Sequence, residues 1–203
     1  MYRRIPALAV AALVFALFAC TASSPSPPPA SLPPLPYTCP PTPGSQFTTP
    51  YPCTSAEHSV NSKRLERDAL EAEALAVYQR FVTEYLRLVV AGGSDTLTPE
   101  LEATLADPLK SEVLIILSER KQYGRTWRGP APRPSASATH DPPVIGGVIT
   151  LRTCEDYRGI EIFNPDGTKY YDAKVVTGRR YLKYVDGALK LFHSDAEEMA
   201  ECL

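Results

Sequence analysis

Five cysteines carry most of the chemistry that residue types alone could supply here: Cys20, Cys39, Cys53, Cys154 and Cys202. A thiolate can ligate a metal, attack a substrate, pair with another thiol or carry an acyl chain, and spacing separates these roles. No C-x-x-C pair exists, and His58, His140 and His193 are scattered, so no metal site and no cofactor is expected. A nucleophilic Cys154 would have to be free and near a histidine. Setting Cys20 aside, the remaining four allow three pairings. Local closure favours Cys39–Cys53 and Cys154–Cys202. No G-x-S-x-G elbow, H-E-x-x-H, P-loop or dinucleotide fingerprint is present. No catalytic residue is assigned.

Cys20 has a different context. Tyr2-Arg3-Arg4 is a short basic start, and Ile5 to Ala19 is an apolar run with no charge. A spanning helix needs roughly 20 apolar residues, so this run is too short to cross a membrane and has the form of a secretory signal. Its end, Leu17-Phe18-Ala19-Cys20, resembles the bacterial lipobox, where cleavage leaves a lipid-modified cysteine as the new first residue. Residues 1–19 are therefore expected to be a signal peptide. Cys20 is expected to anchor the chain in the lipid bilayer on the extracytoplasmic face of the cell membrane. The competing reading is an ordinary cleaved signal with Cys20 in a disulfide. Export suits paired cysteines. Removing residues 1–19 takes Arg3 and Arg4 away, so the formal charge moves from −2 to −4. Without a basic excess there is no electrostatic footprint for nucleic acid.

Twelve of the 21 prolines lie between Pro25 and Pro52, which separates a linker from a domain. Residues 20–60 read as a flexible Pro/Ser/Thr-rich stalk, too poor in large apolar groups to offset its ordering entropy. In polyproline geometry, at ~3.1 Å per residue, it reaches on the order of 100 Å. A proline-rich ligand for a binding module is the functional alternative, and the Cys39–Cys53 loop is either linker or a small ordered knob.

Residues 61–203 read as one α+β domain. From Ser62 two neighbouring apolar lines run at helical spacing: Leu65, Ala69, Ala72, Leu75, Gln79, Val82, Leu86, Val89, and Ala74, Tyr78, Phe81, Tyr85, Leu88. Gly92-Gly93 stops this helix. Thr98-Pro99-Glu100 starts a second helix ending near Asp107, and a third runs from Pro108 to Gly124. The period then becomes two. A short strand is expected around Trp127, an exposed loop over Pro130–Pro143, and strands over Val144–Cys154, Gly159–Phe163, Lys174–Val185 and Ala188–His193. Asp186-Gly187 makes the last hairpin, and Asp195 to Leu203 reads as a polar tail. Lys174, Arg179, Arg180, Lys183 and Lys190 would form a basic patch, several on one solvent face. Contact with an acidic polymer or a headgroup is its functional alternative.

Three helices, a short strand and a four-strand meander resemble the nuclear-transport-factor-two-like fold, a cone-shaped (cystatin-like) roll in which the helices pack on a curved antiparallel sheet. More narrowly, the signal, the stalk and Cys154-Glu155-Asp156 at the end of the second strand are similar to small secreted lipoproteins of actinobacteria and some of their phages. The likeness covers roughly residues 64–203. That resemblance implies a disulfide from Cys154 to Cys202 and a cavity between the long helix and the concave sheet. Some relatives of the cone fold are isomerases or dehydratases, which need a base and an oxyanion donor. Tyr78, Tyr85, Asp156 and Tyr157 are the residues that could line such a cavity. The plainer alternative leaves the tyrosine hydroxyls at the rim and Asp156 on turn amides. The leading expectation is a noncatalytic lipoprotein that presents a domain for an envelope protein or small ligand. The alternatives are an isomerase- or dehydratase-type enzyme and a phage-encoded superinfection-exclusion lipoprotein.

Overall fold

A computed structural model describes residues 35, 37–41, 48–139, 144 and 146–202. Residues 1–19, read as a signal peptide, Cys20 and much of the segment read as a stalk lie outside them. The chain is α+β, with helices packed against antiparallel sheets.

Strands β1 (Tyr37–Cys39) and β2 (Tyr51–Cys53) form a hairpin closed by the Cys39–Cys53 disulfide. The two ends of this loop are thus ordered as a disulfide-closed hairpin, and residues 42–47 lie outside the described residues. The hairpin rests on the start of α1 (Ser55–Val90), where the Tyr37 and His58 rings lie 4.9 Å apart. Helix α1 begins seven residues before the expected Ser62, so the 60/61 boundary falls inside a helix. Its start is local chemistry. The Thr54 hydroxyl accepts from the Glu57 amide while the Glu57 carboxylate accepts from the Thr54 amide, a capping box that satisfies two orphan donors.

At 1.5 Å per residue α1 is about 54 Å long, and apart from Asn61 its buried residues all lie in its second half. Ala74, Val77, Tyr78, Phe81, Val82, Leu86, Leu88 and Val89 enter the core. Of the two apolar lines, Ala74–Tyr78–Phe81 faces the sheet, whereas Leu65 remains exposed. The helix stops where Gly93, at φ +95°, lies against the Leu117 carbonyl of α3 (Leu109–Tyr123); a Cβ there would stand 2.3 Å from that oxygen. Helix α2 (Pro99–Thr104) ends three residues earlier than expected. Leu105 turns extended to bridge Leu191, and the Ala106 amide donates to the Leu191 carbonyl.

The main sheet has the order β4 (Arg133–Thr139), β5 (Ile149–Asp156), β8 (Val175–Val185), β9 (Ala188–Met199), and α1 packs across β4, β5 and β9. A smaller sheet pairs β3 (Thr126–Arg128), β6 (Glu161–Phe163) and β7 (Lys169–Asp172). Three expectations fail here. The region read as loop contains β4, whose Ala136 and Ala138 pack on the core while Ser135 and Ser137 face out. As an edge strand it tolerates Pro134. Strand β7 was not anticipated. Strand β9 continues through Met199, because β8 offers it a full ladder that its own polar sequence does not announce.

Gly178 of β8 has a specific job. A Cβ there would sit 2.0 Å from the Asp195 carbonyl and 2.9 Å from the Ala196 Cα of β9. Backbone, not a flexible side chain, fills that space. Gly178→Ala is expected to lose about 1–3 kcal/mol of stability by forcing β9 away, read as a lower urea midpoint at unchanged slope.

Candidate functional site

Alternation along β5 places Ile149, Leu151, Thr153 and Glu155 on the face toward α1, and Thr150, Arg152, Cys154 and Asp156 on the other. Glu155 therefore enters the interior, and it is 5% exposed. An isolated carboxylate in such a place would be prohibitively costly. Three donors offset that cost. Arg180, on the same face of β8, donates to Oε1 at 3.0 Å, and the Tyr78 hydroxyl from α1 donates to the same oxygen at 3.2 Å. The Tyr157 hydroxyl donates to Oε2 at 2.5 Å. Arg180 also donates to the Ser194 hydroxyl of β9.

Burial first, and then the charge of Glu155, push the Tyr78 and Tyr157 hydroxyls well above the ordinary tyrosine pKa. Both therefore stay neutral donors to a carboxylate that Arg180 pairs. Tyr85, one turn beyond Phe81 and stacked on it at 5.6 Å, is likewise shifted up by burial. Around this cluster several donor atoms are buried and unpartnered among the described residues: Arg180 Nε, Arg120 Nη1 and Trp127 Nε1. The Arg120 guanidinium lies 4.7 Å from the Trp127 ring centroid, and burial lowers its pKa. Trp127 in turn meets Tyr157 edge-on at 5.9 Å. Among the described residues this cluster is thus rich in donors, gathered around the carboxylate of Glu155.

Of the four residues singled out in the sequence, Tyr78 and Tyr157 meet on Glu155. Tyr78 does not hold its hydroxyl at a rim; it is 2% exposed. Asp156 points to the opposite face. It accepts from Arg158 at 2.9 Å and from Arg133 at 2.7 Å, and also from the Arg158 amide. The Arg158 hydrogen bonds hold its carboxyl far below the usual carboxylate range. The residue that sequence reasoning missed is Glu155. Glu155 shares the parity of Ile149 and Leu151, which Asp156 does not, but with both faces of β5 buried that parity alone does not mark it.

The basic patch is dispersed. Arg180 faces inward, Lys174 pairs with Glu198 at 2.8 Å, Lys190 donates to the Glu102 carbonyl, and the Lys183 ammonium covers the Phe192 ring. Two hollows open elsewhere. One, of about 620 Å³, runs between α1 (Gln79, Thr83, Val90) and the segment Trp127–Pro134. The other, of about 700 Å³, lies on the outer face of the main sheet. Neither is lined by Tyr78, Tyr85, Glu155, Asp156 or Tyr157. Among the described residues no helix is long and apolar enough to cross a membrane, and no group of three or more His, Cys, Asp or Glu is placed to hold a metal.

No family model matches the chain, and no curated protein matches it. Among solved structures it is similar to a de novo designed beta-sheet protein determined by solution NMR, at 14% identity and a TM-score of 0.35, over 65% of this chain and 93% of that one.

Proposed function

We propose that the chain is a lipoprotein, exported by its first nineteen residues and held through Cys20 at the extracytoplasmic face of the cell membrane, where it presents a noncatalytic binding domain of the cone-shaped class. One observation carries the reading. Disulfides Cys39–Cys53 and Cys154–Cys202 use four of the five cysteines, so Cys20 has no cysteine left in the chain to pair with. A cysteine that directly follows a signal-like run, in a chain whose other thiols are oxidised, suits acylation better than a disulfide.

The site supports binding over catalysis. An isomerase or dehydratase needs a carboxylate with a lone pair free for substrate. Glu155 is buried under three protein donors and lines neither hollow, so no substrate reaches it, and all four acceptor positions of Asp156 are filled by two arginines and a backbone amide. The actinobacterial or phage affiliation remains part of this proposal, on the strength of the signal, stalk and Cys154-Glu155-Asp156.

Intact mass analysis of protein recovered from membranes is the direct test. The expected product begins at Cys20, carries acyl chains and loses two hydrogens for each of two disulfides. The Cys20→Ala form is expected to leave the membrane fraction. Mature protein that retains Met1, or that starts at Cys20 without acyl groups, overturns the anchor. The binding role is tested by a pull-down from native envelopes, with no retained partner or ligand counting against it.

A further inference from the structure

The outer face of the main sheet carries two neighbouring rows of side chains set by strand register. Ser137, Arg152, Arg179 and Asp195 lie opposite one another across β4, β5, β8 and β9. One step along, Ser135, Cys154, Thr177 and Glu197 form the second row. Together they line the hollow of about 700 Å³, a size ordinary for small-ligand sites, which span roughly 300–1,000 Å³.

Its charges are unequally committed. Asp195 accepts from the Tyr181 hydroxyl at 2.8 Å and lies 3.2 Å from His193. Arg179 is engaged too, in part with that same hydroxyl. Arg152 and Glu197 are exposed and have no partner among the described residues. They stand on strands two apart, one row offset. With strands ~4.8 Å apart, this puts their backbones roughly 12 Å from each other. Between them lie the hydroxyl of Thr177 and the engaged pair. One unpartnered surface charge is ordinary. Two of opposite sign, lining one hollow and held apart by a sheet, are complementary to a ligand whose own two charges are separated and reversed.

We infer that this hollow binds a short zwitterionic peptide, its terminal carboxylate on Arg152 and its terminal ammonium on Glu197. The planar guanidinium fork suits a carboxylate held by two parallel hydrogen bonds. An extended chain spans at most ~3.3–3.6 Å per residue, so about three residues bridge the two charges. The inference rests on the binding reading above and names the ligand class for it.

The test uses the full chain, extracted from membranes in detergent micelles and titrated calorimetrically with triglycine. Millimolar triglycine is expected to bind. N-acetylation or C-amidation of the peptide, Arg152→Gln, or Glu197→Gln should each weaken binding roughly tenfold or more, the effect of one lost charge-assisted contact. The exchange Arg152→Glu with Glu197→Arg should restore binding, with the peptide reversed. Three results overturn the inference: no binding by triglycine, binding indifferent to both glutamine variants, or inorganic phosphate displacing triglycine with dependence on Arg152 alone. Retention of an envelope partner in the pull-down together with absent triglycine binding would sink this inference and leave the binding reading standing.

Discussion

Glu155→Ala is expected to cost about 3–5 kcal/mol of folding stability, because it strands the Arg180 guanidinium, 11% exposed, without its counter-charge. Two tyrosine hydroxyls lose their acceptor at the same time, and both are shut away from water that could replace it. For a chain of this size that corresponds to a fall in Tm on the order of 10 °C. Urea unfolding under nonreducing conditions measures it. The companion experiment separates the strength of the pair from the penalty for breaking it. A double variant, Glu155→Met with Arg180→Met, removes both charges and should recover most of the loss, since buried pairs gain little over a well-packed apolar replacement. A single variant within 1 kcal/mol of the parent would mean that Arg180 reaches water or another anion, contrary to the geometry here.

Removing the Cys154–Cys202 disulfide by alanine at both positions is expected to cost about 4 kcal/mol. The bond closes a separation of 48 residues, and in the chain-entropy account the unfolded state regains that closure entropy. The same change at Cys39 and Cys53, with a separation of 14, should cost about 3 kcal/mol. The two differ in place as well as size. Cys154 sits in β5 at the centre of the main sheet, and its bond carries the chain end beyond β9 back onto the sheet's outer face. Hydrogen exchange should therefore rise at the end of β9 in the first variant, and near the start of α1 in the second. An unchanged urea midpoint after loss of Cys154–Cys202 would contradict the argument.

Much of the architecture was legible because its causes are short-ranged. The second half of α1 announced itself through the spacing of Ala74, Tyr78, Phe81 and Leu88. Its stop at Gly92-Gly93, the Thr98-Pro99 start of α2 and the Asp186-Gly187 turn are all interactions within a few residues. Asp186 and Gly187 adopt φ +51° and +78°, as such a hairpin turn requires. The capping box at Thr54 and Glu57 was equally local, yet it was hidden by the proline-rich composition upstream, so the helix was started too late.

The candidate site was legible only in part. Tyr78 and Tyr157 are among the four candidate cavity residues, but the carboxylate they share is Glu155, not the candidate Asp156. A strand whose two faces are both buried removes the contrast that normally reveals parity, and β5 is buried at every position except Arg152. Recognising Glu155 as an interior charge requires knowing that Arg180 lies on the same face of the neighbouring strand.

By itself the sequence determined the elements whose energies close within one turn or one hairpin, the even set of cysteines that pair, and the signal-like opening with Cys20 behind it. Only the tertiary structure decided that Arg133–Thr139 is a strand, that β9 runs on through polar residues, and that Glu155 is tolerable inside the core. Those outcomes depend on partners far away in the chain: Arg180 lies 25 residues from Glu155, and Tyr78 lies 77. Strand pairing and charge burial are stabilised by groups the local sequence does not contain, so no window of neighbouring residues can carry their signature.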